Sequence, residues 1–159
     1  MNGVMNQQRS GKVLTGICLV AALAWMTLIF LFSARNADLS TQDSHRIGWL
    51  IGKHLAWGFQ SWPQVAQQHF VENIDFLVRK TAHATEYAVL GALWTGVFRR
   101  FLPAWGIAVV YAASDEIHQF FVPGRACRLM DVGIDSAGAL LGCLLVLGLS
   151  RRWMMHKHS

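Results

Sequence analysis

At 159 residues the chain has the length of one domain. Apolar residues make up 53% of it and charged residues only 14%, with seven tryptophans, a composition that excludes an ordinary soluble domain. The net charge of +5 does not indicate nucleic acid, because the basic residues flank apolar runs and form no stripe with aromatic stacking partners.

Met1 to Lys12 is polar and basic and reads as a short tail. Val13 to Phe32 carries no charge at all. A membrane-crossing helix needs about 20 apolar residues. A signal peptide's apolar region is only about 7–15 residues long, so this run is expected to stay as span one. Ser33 to Val78 holds Arg35, Asp38, Asp43, Arg46, Lys53, Glu72 and Asp75, and is expected to remain outside the bilayer as a long connection. Within it Ile47, Leu50, Ile51 and Leu55 recur at helical spacing beside Trp49, Trp57, Phe59 and Trp62. That pattern suits an interfacial amphipathic helix, or equally a lid packed on the spans.

Thr81 to Phe98 is the expected span two, with His83 and Glu86 in its first turns. Span three runs from Pro103 to about Phe121, and Pro123-Gly124 marks a turn. Span four runs from Asp131 to Leu149. Spans three and four are joined by so few residues that they should lie antiparallel. Gly138 and Gly142 form a Gly-x-x-x-Gly pair that lets helix backbones approach closely. Cys18 and Cys143 fall in apolar runs as packing residues, while Cys127 lies in a polar stretch; three cysteines in this arrangement make no disulfide framework.

The expected fold is therefore all-α: one domain over residues 1–159, an integral membrane bundle of four transmembrane helices, with an interfacial helix in the long outer connection. Four spans put both termini on one side. Lysine and arginine counts for the two sides tie at seven each, Arg9, Arg151, Arg152 and Lys157 being among those on the terminal side. Five of the opposing seven lie between spans one and two, in a stretch of over 40 residues where they count for less, so both termini are expected in the cytoplasm of a bacterial inner (plasma) membrane.

With that orientation every chemically able residue falls near the outer leaflet. Lys80, His83 and Tyr87 share one helix face and Glu86 adjoins it. Asp115, Glu116 and Gln119 cluster at the end of span three, and Asp131 and Asp135 open span four. Charges at membrane depth are costly and usually face a protein interior or a water-filled cavity. The candidate catalytic residues are His83, Glu86, Asp115 and Glu116, since apolar surroundings bring carboxyl groups toward acid–base use near neutrality. Lys80, Tyr87, Gln119, Arg125, Asp131 and Asp135 are the candidate substrate-binding set, with Arg125 and Lys80 suited to a phosphate or carboxylate. The Pro123-Gly124 turn is expected to bring Arg125 back onto Asp115, Glu116 or Asp131 as an ion pair, with Arg128 left in solvent. Pure ion pairing for assembly is the structural alternative. Metal ligation is another, but His-x-x-Glu is a short spacing and no second histidine completes a metalloprotease pattern, so no metal is assigned and the cofactor is left open.

These residues carry a resemblance. Arg79-Lys80-Thr81-Ala82-His83 with Glu86-Tyr87 and Leu90-Gly91 resembles the first motif of the VanZ-like membrane family. Asp115-Glu116-x-x-Gln119-x-Phe121-x-Pro123-Gly124-Arg125, with Asp131 and Gly138, resembles its second. The resemblance spans roughly Val78 to Leu149. Two departures stand out: Ala84 where the family usually has an aromatic, and Asp135 where it often has Asn. The resemblance implies a polytopic protein of about four spans and a link to glycopeptide (teicoplanin-type) antibiotic resistance, and it implies no particular reaction. The resulting expectation is a cell-envelope protein whose outward polar site binds or acts on a lipid or cell-wall precursor. Its partners are the lipid bilayer and that precursor, with no nucleic acid. The alternative is a non-catalytic scaffold or small transporter. A transporter would favour charge near the midplane, and the inner halves of the spans are nearly bare of it.

Overall fold

A computed structural model describes the backbone of residues 2–156 and the side chains of residues 11–150. Among the described residues there are five α-helices and no strand: α1 (Asn2–Ser33), α2 (Ala37–Leu55), α3 (Gln64–Phe98), α4 (Phe101–Phe120) and α5 (Leu129–His156), with a 3-10 turn at Phe59–Ser61. The all-α expectation holds. Arg9, Arg151, Arg152 and Lys157, used in the orientation argument, lie outside the described side chains.

Two helices are long and apolar enough to cross a membrane, by length and composition: Gly11–Ser33 in α1 and Leu129–Ser150 in α5. α3 and α4 fall short because their polar ends, with His83 and Glu86 in one and Asp115, Glu116 and His118 in the other, lower their mean hydropathy. One boundary differs from expectation. α3 does not begin near Thr81 but at Gln64, so the second half of the supposed connection is the first half of the longest helix. α2 packs along that half with Gly48 against Val71, and its Gly52 lies against the Phe59 ring of the 3-10 turn. Asn36 caps α2 by accepting the Leu39 N–H at 2.9 Å. α2 is thus packed on the first half of α3.

α3 is the central helix and touches α1, α2, α4 and α5; its interface with α5 is the most extensive in the fold. Small residues make that closeness possible. A Cβ built on Gly138 would overlap the Ala84 carbonyl, one on Gly142 the Ala88 carbonyl, and one on Gly91 the Ala139 carbonyl. The Gly-x-x-x-Gly pair is thus half of a two-sided seam. Ala84 belongs to it too, at the position where the motif usually carries an aromatic.

Side chains also bond across helices to backbone carbonyls. Trp25 Nε1 of α1 donates to Glu86 O at 2.8 Å, Trp105 Nε1 of α4 donates to Ser136 O at 3.0 Å, and Tyr111 Oη of α4 donates to Met26 O at 2.6 Å. In apolar surroundings such bonds contribute on average about 0.6 kcal/mol each. Cys143 is buried with its thiol on Gly91 O, and Cys127 is exposed. Outward, α1, α4 and α5 show Val13, Ile17, Val20, Leu102, Val110, Ile117, Leu141 and Leu145 exposed, an apolar surface of a kind that soluble monomers rarely carry.

Candidate functional site

Alternating helix direction brings the end of α1, the middle of α3, the end of α4 and the start of α5 to one end of the bundle. Gly11 and Arg99 meet at the other. Two connections are tied together above the polar end. The Ala37 N–H donates to Pro123 O at 3.3 Å, and Arg125 Nε donates to Arg35 O at 3.2 Å. Gly124 makes this possible twice over. Its φ of +75° is left-handed, and a Cβ there would lie 2.9 Å from the Ala37 Cβ.

Beneath the tie lie two adjoining cavities. The larger, about 220 Å³, is lined by the polar Arg35, Asp43, Ser44, Arg79, His83, Glu86, Asp115 and Arg125 and by the apolar Ile29, Phe32, Ile47, Val78 and Ala82. The smaller, about 140 Å³, includes Lys80, Gln119, Arg128 and Asp131. Ser40, Arg79, His83 and Arg125 line both and stand between them.

The charges in this region divide into satisfied and unsatisfied. Lys80 of α3 pairs with Asp131 of α5. Arg79 pairs with Asp75 one turn earlier and donates to Thr41 Oγ1 at 3.2 Å, while Ser44 donates to the same Asp75. Arg35 pairs with Asp43 at 2.5 Å. Glu116 accepts the backbone N–H of Arg128 at 2.7 Å and so anchors the turn between α4 and α5. Among the described residues no ion pair reaches Glu86, Asp115 or Arg125.

The expected pairing of Arg125 with an acid is corrected by this geometry. Arg125 Nη1 donates to Gln119 Oε1 at 3.3 Å, and Gln119 Nε2 donates to Asp115 Oδ2 at 3.1 Å. The amide relays between cation and acid and keeps them apart, and Asp131 is taken by Lys80. Burial, and then the nearby Arg79, push the Arg125 pKa below its usual value. Arg128 is exposed, as expected for a solvated side chain.

The other candidates fall into three places. His83, Glu86, Asp115 and Arg125 line the larger cavity, and Lys80, Gln119 and Asp131 line the smaller. Asp135 is fully buried one layer below, its Oδ1 3.8 Å from His83 Nδ1 and neither oxygen hydrogen-bonded. Glu116 and Tyr87 line neither cavity. Tyr87 is fully buried in the core, with its ring centroid 6.3 Å from that of Tyr111. Among the described residues no three His, Cys, Asp or Glu side chains converge in a metal-holding group.

Sequence reasoning missed the contribution of α2, with Ser40, Asp43 and Ser44, and of Asp75 and Ser33. The Asp75–Arg79 spacing of one helical turn was the available signal, and it makes sense only once α3 is known to start at Gln64.

No curated protein and no solved structure matched the chain in comparison. Residues 18–151, most of its length and both motifs included, match the profile of VanZ/LLP1. Together with the two apolar helices, this points to a membrane protein, and the chain belongs to the VanZ/LLP1 family.

Proposed function

We propose that this single-domain chain is a four-span protein of the bacterial inner membrane whose polar cavity, open toward the outer leaflet, binds or acts on a lipid or cell-wall precursor, in the setting of glycopeptide resistance. The observation that carries this reading is the mixed polar and apolar lining of the 220 Å³ cavity. It combines charged groups from α2, α3, α4 and the two connections with apolar groups from α1, α2 and α3. A lining of that kind suits an amphiphile with its head inward and its chains leaving between helices. The cavity is smaller than the roughly 300–1,000 Å³ that encloses a drug-sized ligand, so it accommodates a head group and not a whole lipid.

The exposed Leu102, Val110 and Ile117 of α4 support a third lipid-facing helix, with α3 spanning at the centre. α2, whose exposed Ile47, Leu50 and Leu55 lie beside Arg46 and Lys53, fits the headgroup layer as the roof of the site. A photo-crosslinkable phospholipid supplied to membranes containing the protein should label Phe32, Ile47 or Ala82. Labelling confined to the outer faces of α1 and α5 would make the polar cluster structural and favour the scaffold alternative. A reporter active only in the cytoplasm, fused after Ser159, should be active. Activity only from an exported reporter would invert the orientation and put the cavity inside.

A further inference from the structure

The larger cavity holds a guanidinium and two carboxyl groups that have no ion-pair partner among the described residues, and this is what selects among amphiphiles. Arg125 is half-buried and spends its resolved hydrogen bonds on two neutral acceptors, Gln119 Oε1 and Arg35 O. Glu86 is half-buried and has neither a cation nor a hydrogen-bond donor on its carboxylate among the described residues. Asp115 is only 3% exposed, lines the same cavity, and its Oδ1 has no partner. Buried charges are normally paired. Here the fold brings a guanidinium and two carboxylates to one space and places Gln119 between Arg125 and Asp115, so that they do not neutralise each other directly.

An occupant with one sign of charge would satisfy one side and worsen the other. The geometry points to a zwitterionic occupant: a lipid head group carrying a phosphate and a primary ammonium, of phosphoethanolamine type. This rests on the amphiphile reading above. Arg125, with Arg79 beside it in the lining, faces the phosphate, which a planar guanidinium recognises through paired N–H donors. Glu86 and Asp115 face the ammonium, whose three N–H donors need acceptors. A quaternary ammonium has no N–H to give and is held instead by aromatic faces. Phe32 is the one benzene ring in the described lining, so a choline head is disfavoured. The apolar Ile29, Ile47 and Val78 in the same lining favour a chain-bearing lipid over a water-soluble phosphoethanolamine.

The test uses the full chain in nanodiscs of equal phosphatidylethanolamine, phosphatidylcholine and phosphatidylglycerol, with retained lipids identified by native mass spectrometry. The wild type should retain phosphatidylethanolamine about tenfold over each of the other two, a preference of about 1.4 kcal/mol. Glu86→Gln, which keeps size and removes charge, should abolish the preference over phosphatidylcholine. Asp115→Asn provides a second carboxylate variant should the first not fold. Arg125→Gln should lower retention of all phospholipids. Retention of phosphatidylglycerol or phosphatidylcholine at least equal to phosphatidylethanolamine would overturn the zwitterion assignment while leaving the amphiphile reading intact. Retention of no lipid, with no binding of soluble phosphoethanolamine either, would overturn both. Binding of soluble phosphoethanolamine with no lipid retained would overturn the lipid source.

Discussion

Gly142→Ala should destabilise the protein by about 3 kcal/mol, at the upper end of what overpacking costs. The reason is where the added methyl would go. A Cβ on Gly142 falls inside van der Waals reach of the Ala88 carbonyl carbon and oxygen, both backbone atoms of the central helix. A flexible side chain could swing away; a helix backbone cannot move without parting α3 from α5 along the whole seam. That seam is shared with Gly138 on Ala84 and Gly91 on Ala139, so the displacement would be felt at all three contacts. Gly148→Ala is the matched control. It lies in the same helix with nothing within 4 Å of its built Cβ. There the change should be neutral, or stabilising by about 0.5–1 kcal/mol, because alanine loses less backbone entropy in a helix. Thermal unfolding of both variants in one detergent gives the comparison. Equal midpoints would mean that α3 and α5 are not this close.

This seam was legible only in part from the sequence. Gly138 and Gly142 suggested close packing, but the partner surface, Ala84, Ala88 and Gly91, reads as ordinary apolar filling until α3 and α5 are set against each other. The two most apolar runs predicted α1 and α5 because hydrophobicity over about 20 residues is a local property. The first half of α3 escaped for the opposite reason. Glu72, Asp75, Arg79 and Lys80 look like a solvated connection, and what makes Asp75 and Arg79 internal is Ser44 and Thr41 on α2, which no local pattern couples to them. The polar residues of the two motifs do meet, as their positions at helix ends implied. Which partners each one takes was not legible. Arg125 lies near three acids in sequence, yet its direction is set by the tie between Ala37 and Pro123, so that it reaches an amide and a carbonyl. Tyr87 shares a helical face with Lys80 and His83, but that face turns from cavity to core within one turn, as Tyr111 closes over it.

Lys80→Ala should cost about 3–5 kcal/mol, the amount lost when one member of a buried ion pair is removed and the other is left unpaired. Lys80 and Asp131 are the charged contact between α3 and α5 at the cavity end, with side chains 15% and 10% exposed. Water can do little to screen the charge that would remain. The surroundings worsen the loss, because Glu116 and Asp135 are buried on the same side of the bundle and make no cationic pair shorter than the 3.8 Å contact of Asp135 with His83. Taking away Lys80 therefore leaves acids facing acids at the start of α5. Removing both charges is a different experiment. Lys80→Met together with Asp131→Leu replaces the pair by apolar groups of similar size, and such replacements are often neutral or stabilising. The double variant should recover at least 2 of the roughly 3–5 kcal/mol lost by the single one, giving a strong coupling in the double-mutant cycle. Thermal unfolding of wild type, both single variants and the double variant in one detergent measures it. An exposed pair contributes only about 0–1 kcal/mol. If Lys80→Ala unfolds at the wild-type temperature, the start of α5 is open to solvent and the smaller cavity is not the enclosed, charge-lined space that its walls imply.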